Sequence, residues 1–569
     1  MPYRTYTRDQ DWLFPPCLGE LVPCDHPVRF VAEFVDRLDL GAAGIRAEAA
    51  MEGAPAYQPR LLLGAWVYGF MTRVRSSRKI EQACRETIPF MWLTGMQQPD
   101  HMTLWRFYKQ NRQAMRGVLK LTIQLAVEAG LVGFVLQAVD GSRIAVSSGD
   151  SLRDRAGLEQ QLAQVEAEIA AMEQANRREE AVVGQPPHGV HALGGKRAVR
   201  ERVKRALEVV SAKQAKKAKR AQKAKTGRQK QTVQQPQALA TDVTTGANQA
   251  ATSLTGGLVG SLASTPRPTQ AGERQGMVAG HAAQDAQSEA KLTRAGGPAQ
   301  AGARKSRKKV GPLVSPTDPE AVLMKGRHGY SVGYNGQAVV DSQAQIVVAA
   351  DVVATAGDVG QLLPMLQEAR AMTGRQAGAA VADTAYFDIT KIIAAQQAGR
   401  EVFVPDPREG RADGPQRHPF HKSHFAYDAA SDSYRCPQGQ TLTFRCQHRW
   451  KSRLVRAYAA EDCRSCPFQQ SGACTKARAR ALAIHGFEPQ LEAHAAKMRT
   501  DAAKEILRQR SAIVEPVFAL FREQLGLLRF LLRGLENVKG EWWLTCSAHN
   551  LRKLWKLWWR PKALGLAGT

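Results

Sequence analysis

No stretch of this 569-residue chain approaches the roughly 18–20 uncharged apolar residues that span a bilayer. The first residues, Met1-Pro-Tyr-Arg-Thr-Tyr-Thr-Arg-Asp, contain no apolar signal core. These two absences lead to the expectation of a cytoplasmic protein with no membrane partner. Acidic side chains are also scarce: 52 Asp and Glu stand against 79 Lys and Arg, a formal net charge of +27. That balance favours a polyanionic partner, with nucleic acid first, because Lys and Arg that neutralise phosphates release condensed counterions. The nine cysteines should be reduced in such a compartment, so clustered ones suggest metal rather than disulfides. What is present is an ordinary globular complement, 44% hydrophobic, on a chain long enough for several cores.

Residues 1–130 read as a helical N-terminal domain. Pro27 and Pro59 stand at helix starts, Ser76-Ser-Arg78-Lys-Ile-Glu81 looks like a capped start with Glu81 placed to help cap it, and Pro99-Asp-His-Met-Thr103 opens a further helix running into 119–129. Short helices rich in Arg and Ser suit either DNA backbone contact or a scaffolding bundle. Residues 150–312 read as an insertion. Leu158, Leu162, Val165, Ile169 and Met172 alternate four and three apart, a short coiled-coil seam. Positions 196–230 follow with 15 basic residues against two acidic, and 231–300 are a low-complexity stretch read as a disordered linker.

Three acidic residues sit in distinct settings. Asp140 closes the apolar run Phe134-Val-Leu-Gln-Ala-Val-Asp140, and Asp383 closes Ala379-Ala-Val-Ala-Asp383. Glu515 lies in a helix-like stretch beside Pro516. Between them, two strands (329–341 and 345–354), a helix (359–372), the strand ending at Asp383, a helix (386–398) and a strand (401–404) can be read. With the insertions removed, the order is strand, strand, strand, helix, strand, helix, strand, helix. That is the order of a ribonuclease H-like α/β fold, formed by 131–149, 313–404 and the C-terminal helices 501–569. It puts Asp140 and Asp383 on neighbouring strands.

Three carboxylates brought together in this way can hold two Mg²⁺ or Mn²⁺ ions, which need hard oxygen ligands and serve in-line phosphoryl displacement. Asp351 and Asp358 compete for the second role, although Asp358 looks like the N-cap of the 359–372 helix. Glu505, Glu523, Glu536 and Glu541 compete with Glu515. Glu515 is preferred because Arg522 lies two turns on along the same face, where it could hold a phosphate. The 405–500 segment is a Cys-rich insertion. There Cys436, Cys463, Cys466 and Cys474 suggest a structural Zn²⁺, with Cys446, His448 or His485 as substitute ligands, or else free thiols in a small β-rich unit. Trp542, Trp543, Trp555, Trp558 and Trp559 are expected to pack a terminal helix rather than stack on bases.

The chain resembles the DDE transposases of bacterial insertion sequences, in the IS-four-like group and most closely its eleven-eighty-two branch. Matching pieces are Tyr57-Gln-Pro-Arg-Leu-Leu, Ser76-Ser-Arg78, Trp92-Leu-Thr-Gly95, Val139-Asp-Gly141, Thr317-Asp-Pro319, Gly333-Tyr-Asn-Gly-Gln337 and Ala382-Asp383. The C-terminal ones are Val514-Glu-Pro-Val-Phe518, Arg533-Gly-Leu-Glu-Asn-Val-Lys539 and Ala548-His-Asn-Leu-Arg-Lys-Leu554. The resemblance implies metal-dependent cleavage and strand transfer, with Asp140, Asp383 and Glu515 catalytic. It also implies double-stranded DNA as partner (element ends and target), a homodimer or higher oligomer in the synaptic complex, and a nucleoid-associated setting. Arg510 stands near the Arg position of the family's last-helix signature, and Arg522 stands where a Lys is usual; both are expected at phosphate. The alternatives are a catalytically inactive DNA-binding relative and a nuclease with the same core that does not transfer strands.

Overall fold

A computed structural model describes residues 17–46, 55–147, 152–183, 190–229, 312–326, 329–409, 418–450 and 453–565. The 231–300 stretch lies outside the described residues. The chain divides into one unit of Met1–Gln214 with Gly311–Thr569 and another of Ala215–Val310, whose described part is the end of one long helix.

Seven helices come first: α1 (Leu18–Leu21), α2 (Pro27–Arg37), α3 (Pro59–Met71), α4 (Ser77–Glu86), α5 (Ile88–Thr94), α6 (His101–Asn111) and α7 (Met115–Glu128). Proline stands in the first turn of α2, α3 and α5, where its missing N–H costs no intrahelical bond. Every residue of α3 from Leu62 to Met71 is buried, so α3 forms the centre of this region. Glu81 does not cap its own helix. Ser76 caps α4 by accepting from the Lys79 N–H at 3.3 Å, while Glu81 accepts from the His101 N–H (3.2 Å) and contacts His101 Nδ1 (2.8 Å), pinning the start of α6. The expected continuous helix from 99 to 129 is broken between α6 and α7.

The long strand β1 (Leu136–Val146) leads to α8 (Arg155–Val183) and α9 (Val190–Gln229). The seam read from sequence packs within the chain: Leu158 meets Val203, Ala206 and Val210, while Val165 and Ile169 meet Leu193. α8 and α9 are therefore an antiparallel hairpin, with Arg197–Glu173 (2.7 Å) and Lys204–Glu166 (3.6 Å) along its flank.

The core resumes with β2 (Val322–Gly326), β3 (Gly329–Asp341), β4 (Val347–Val353), α10 (Leu362–Thr373), β5 (Ala379–Ala382), α11 (Ile389–Gln397) and β6 (Glu401–Phe403). A separate five-stranded antiparallel sheet follows, built from β7 (Ala426–Asp428), β8 (Ser433–Arg435), β9 (Thr441–Trp450), β10 (Arg453–Ala459) and, after the short α12 (Pro467–Gln470), β11 (Ala481–His485). Its own small core contains Phe425, Leu442, Tyr458, Cys463 and Leu482. The chain then returns through α13 (Glu488–Arg499), α14 (Asp501–Glu523), β12 (Arg529–Phe530), α15 (Leu535–Leu554), a π-turn at Trp555–Trp559 and α16 (Arg560–Ala563).

In the main sheet, β3 lies between β1 on one edge and β2 with β4 on the other, and β1 carries β5 and β12 on its far edge. β6 pairs with β5. Strands β1, β3, β4, β5 and β6 thus run in the order β4-β3-β1-β5-β6, with β3 antiparallel and β5 and β6 parallel to their inner neighbours, as the ribonuclease H-like reading requires. Helix α15 is buried over most of its length and packs against β4, α3 and α7, joining the N-terminal helices to the sheet. The tryptophans pack as expected. Trp542 Nε1 donates to the Gln337 carbonyl (3.0 Å), Trp543 to Ala350 (2.9 Å), Trp555 to Asp25 (2.9 Å) and Trp559 to Glu33 (2.7 Å).

Candidate active site

The parallel ladder between β1 and β5 ends at Val139 paired with Ala382. Asp140 and Asp383 are the next residues on the two strands. β1 does not stop at Asp140, as its sequence suggested; it continues along β3 to Ala145, and β12 joins its other edge only at Ala145 and Val146. A gap therefore opens on that edge of β1 between the two parallel pairings, and Asp140 stands at its head. Asp383 leaves β5 into a short 3-10 turn, capping it by accepting the Ala385 N–H at 2.9 Å.

Asp140 Oδ1 accepts from the Gly141 N–H (2.8 Å), and Oδ2 pairs with Arg510 Nη1 at 3.2 Å. Burial raises the Asp140 pKa above the usual carboxylate value. Arg510 and the Gly141 N–H oppose that shift, and the nearby Asp383 charge adds to it. The two aspartates thus sense each other's charge, the condition in which a bound cation is most stabilising. Arg510, expected at phosphate, occupies the place of a counter-ion on Asp140.

Arg510 reaches the site because α14 packs across β1 and β5. Pro516 lies inside this helix and cannot donate to the Ala512 carbonyl; Gln345 Nε2 supplies that bond instead, at 2.9 Å. Glu515 is on the same helix, five residues after Arg510, and is exposed. Arg522, also exposed, borders a small cavity with Ser142, Arg143 and Ile144 of β1.

Among the described residues, no three His, Cys, Asp or Glu side chains lie together as a metal-holding group. At the sheet edge, the structure joins Asp140 and Asp383 and does not bring Glu515 into the group. The pair itself fits a hard divalent cation: two neighbouring carboxylates, one of them partly buried and held by an arginine standing in for a cation. In the Cys-rich segment, Cys436, Cys463, Cys466 and Cys474, like Cys446 of β9, form no disulfide. Cys474 has its pKa raised by burial and then by Cys436, Cys463 and Cys466, so the thiols are neighbours, yet they too are not spaced as a metal group. The zinc expectation is not supported there.

The rival acids resolve differently. Asp351 pairs with Lys539 at 3.2 Å. Asp358 is not the helix cap: Gln361 precedes α10, and Asp358 is buried, accepting from Asn335 Nδ2 (2.7 Å) and Gln337 Nε2 (2.8 Å). Glu541 is buried in an ion pair with Arg75 at 2.5 Å. Asn335 and Gln337 belong to the Gly333–Gln337 motif, which by itself gives neither a role; two amides two residues apart on one strand face are the available signal.

A mixed α/β sheet in this strand order, with two aspartates leaving neighbouring strands at one gap, is consistent with a ribonuclease H-like core of the DDE type. Residues 435–555 match the family described as Transposase DDE domain, and residues 16–110 match the one described as Transposase domain (DUF772). No curated protein and no solved structure matches the chain. Both matched stretches are transposase families, and together they support a DDE transposase of bacterial insertion sequences. The first match spans α14 with Glu515, and the second spans helices α1 to α6 up to Gln110.

Proposed function

We propose that this transposase, of the eleven-eighty-two branch, binds the terminal repeats of its element and catalyses metal-dependent DNA cleavage and strand transfer. The observation that carries the reading is the end of the β1–β5 ladder one residue before both Asp140 and Asp383. Divalent metals bound there supply Lewis acidity for the attacking and leaving oxygens of a phosphodiester. The chain's own residues do the rest. Asp140 and Asp383 would hold the cations, and Glu515 of α14 would complete the ligand set. Arg510 neutralises Asp140, and would be free to reach the scissile phosphate if a cation were held at that carboxylate. Arg522 and the 196–230 stretch contact the DNA backbone, and two copies of the chain hold two element ends together.

The test combines the purified full chain, Mg²⁺ and DNA carrying the inverted repeats that flank its gene. Excision and joining that disappear in Asp383→Ala support transposition. Unchanged activity in that variant sinks the assignment, and cleavage without joining reduces the function to that of a nuclease.

A further inference from the structure

Asp358, Asn335, Gln337 and Tyr386 form a buried polar chain beside the candidate site, and the reaction as described uses none of them. The Tyr386 hydroxyl donates to Gln337 Oε1, and the Gln337 and Asn335 amides both donate to Asp358 Oδ1. All four side chains are buried, and the backbone of Gln337 is held in turn by Trp542 Nε1. Each donor thus has a fixed direction, with the Asp358 carboxylate as the terminal acceptor.

Two contacts tie this chain to the catalytic strands. Tyr386 belongs to the short turn that Asp383 caps, so its hydroxyl fastens the Asp383 loop to β3. Gly141, next to Asp140, pairs with Gln337 across the β1–β3 ladder. A Cβ built on Gly141 would lie 2.4 Å from Gln337 Nε2, 2.7 Å from Asp358 Oδ1 and 2.9 Å from Asn335 Oδ1. The polar chain therefore lies directly against the Gly141 backbone, in space that any side chain there would fill. Side chains alternate across a strand, so this is the face opposite the Asp140 carboxylate.

We propose that Asp358, Asn335, Gln337 and Tyr386 are positioning residues: a clamp that sets the separation of Asp140 and Asp383 and so tunes divalent-cation binding at that pair. The clamp acts through the backbone of both strands rather than by ligation. It rests on the reading of Asp140 and Asp383 as cation ligands, and the test separates the two. Gly141 is required because the clamp fills its side-chain space.

Mn²⁺ binding to the purified full chain is followed by electron paramagnetic resonance, alongside the Mn²⁺ concentration giving half-maximal cleavage of element-end DNA. Tyr386→Phe and Asp358→Asn should each weaken Mn²⁺ binding by roughly tenfold or more, the scale of outer-shell changes around metal ligands. Saturating Mn²⁺ should then restore most of the cleavage rate. A change that merely loosens the fold would not be rescued by metal, so a rate loss that Mn²⁺ cannot restore overturns the clamp. If Asp358→Asn does not fold, Tyr386→Phe, which removes a single hydroxyl, carries the test. Loss of Mn²⁺ binding in Asp383→Ala with unchanged binding in Tyr386→Phe overturns the clamp alone. Unchanged binding and cleavage in Asp383→Ala overturns the ligand reading, and the clamp with it.

Discussion

Two carboxylate centres, Glu541 fully buried and Asp140 partly buried, are built on opposite plans. Glu541 is saturated: Arg75 Nη2 donates to Oε1 at 2.5 Å, and the Leu531 and Leu532 N–H groups donate at 3.0 Å. Arg75 reaches onward to the carbonyls of Gly526 and Arg529, so this cluster fastens α15, β12 and the N-terminal helices together. Asp140 has only its neighbour's N–H and a longer pairing with Arg510, and Asp383 lies close enough to repel it. A carboxylate whose lone pairs are all taken is structural. One left with spare lone pairs, and with a second carboxylate beside it, is prepared for a cation.

Glu541→Ala is the hardest test of that contrast. It leaves the Arg75 guanidinium buried without its partner and should cost about 3–5 kcal/mol, read as a large drop in the midpoint of urea unfolding. A midpoint within error of the parent would show that the cluster is not a fastening. Asp383→Asn should do the reverse, cutting cleavage roughly a hundred- to a thousandfold. Its thermal midpoint should match or exceed the parent's, because a repelling charge is removed. A strongly destabilised Asp383→Asn would place that residue with Glu541 rather than opposite it.

A third prediction uses pH. His549 on α15 is fully buried, its ring bonded to the Gln345 carbonyl at 2.8 Å, and burial brings its pKa down to about 4. The folded chain therefore resists protonation that the unfolded chain accepts from about pH 6.5 downward. Stability should be complete above pH 6.5 and decline from there to about pH 4, by an amount on the order of 3 kcal/mol. His549→Gln should flatten that limb; an equally steep limb in the variant would assign the acid sensitivity elsewhere. The smallest effect is expected at the periphery. Trp559→Phe loses the bond to Glu33 and should cost about 1 kcal/mol, with cleavage unaltered.

Much of this was legible in the chain. Short apolar runs closed by Asp140 and Asp383 read as buried strands, and their order around the predicted helices already implied the sheet. The tryptophans of the last helix were read as packing, and they pack. Other features were not readable. Asp358 looked like a cap because a short acidic residue before a helix usually is one; the β3 amides that claim it lie more than twenty residues away. Glu541 ranked below Glu515 only through the position of Arg522; its structural role was hidden because its partner Arg75 is 466 positions distant. The Cys spacing suggested zinc; the fold brings the four thiols near one another without grouping them as metal ligands, a distinction that spacing along the chain does not carry.

The sequence by itself determined the element order, the aspartates that close two strand runs, and the basic charge that favours nucleic acid, because these depend on local period and composition. Only the tertiary structure decided which carboxylates are filled and which are left open. That depends on sheet register and helix docking, which bring Gln337 under Gly141 and Arg510 onto Asp140.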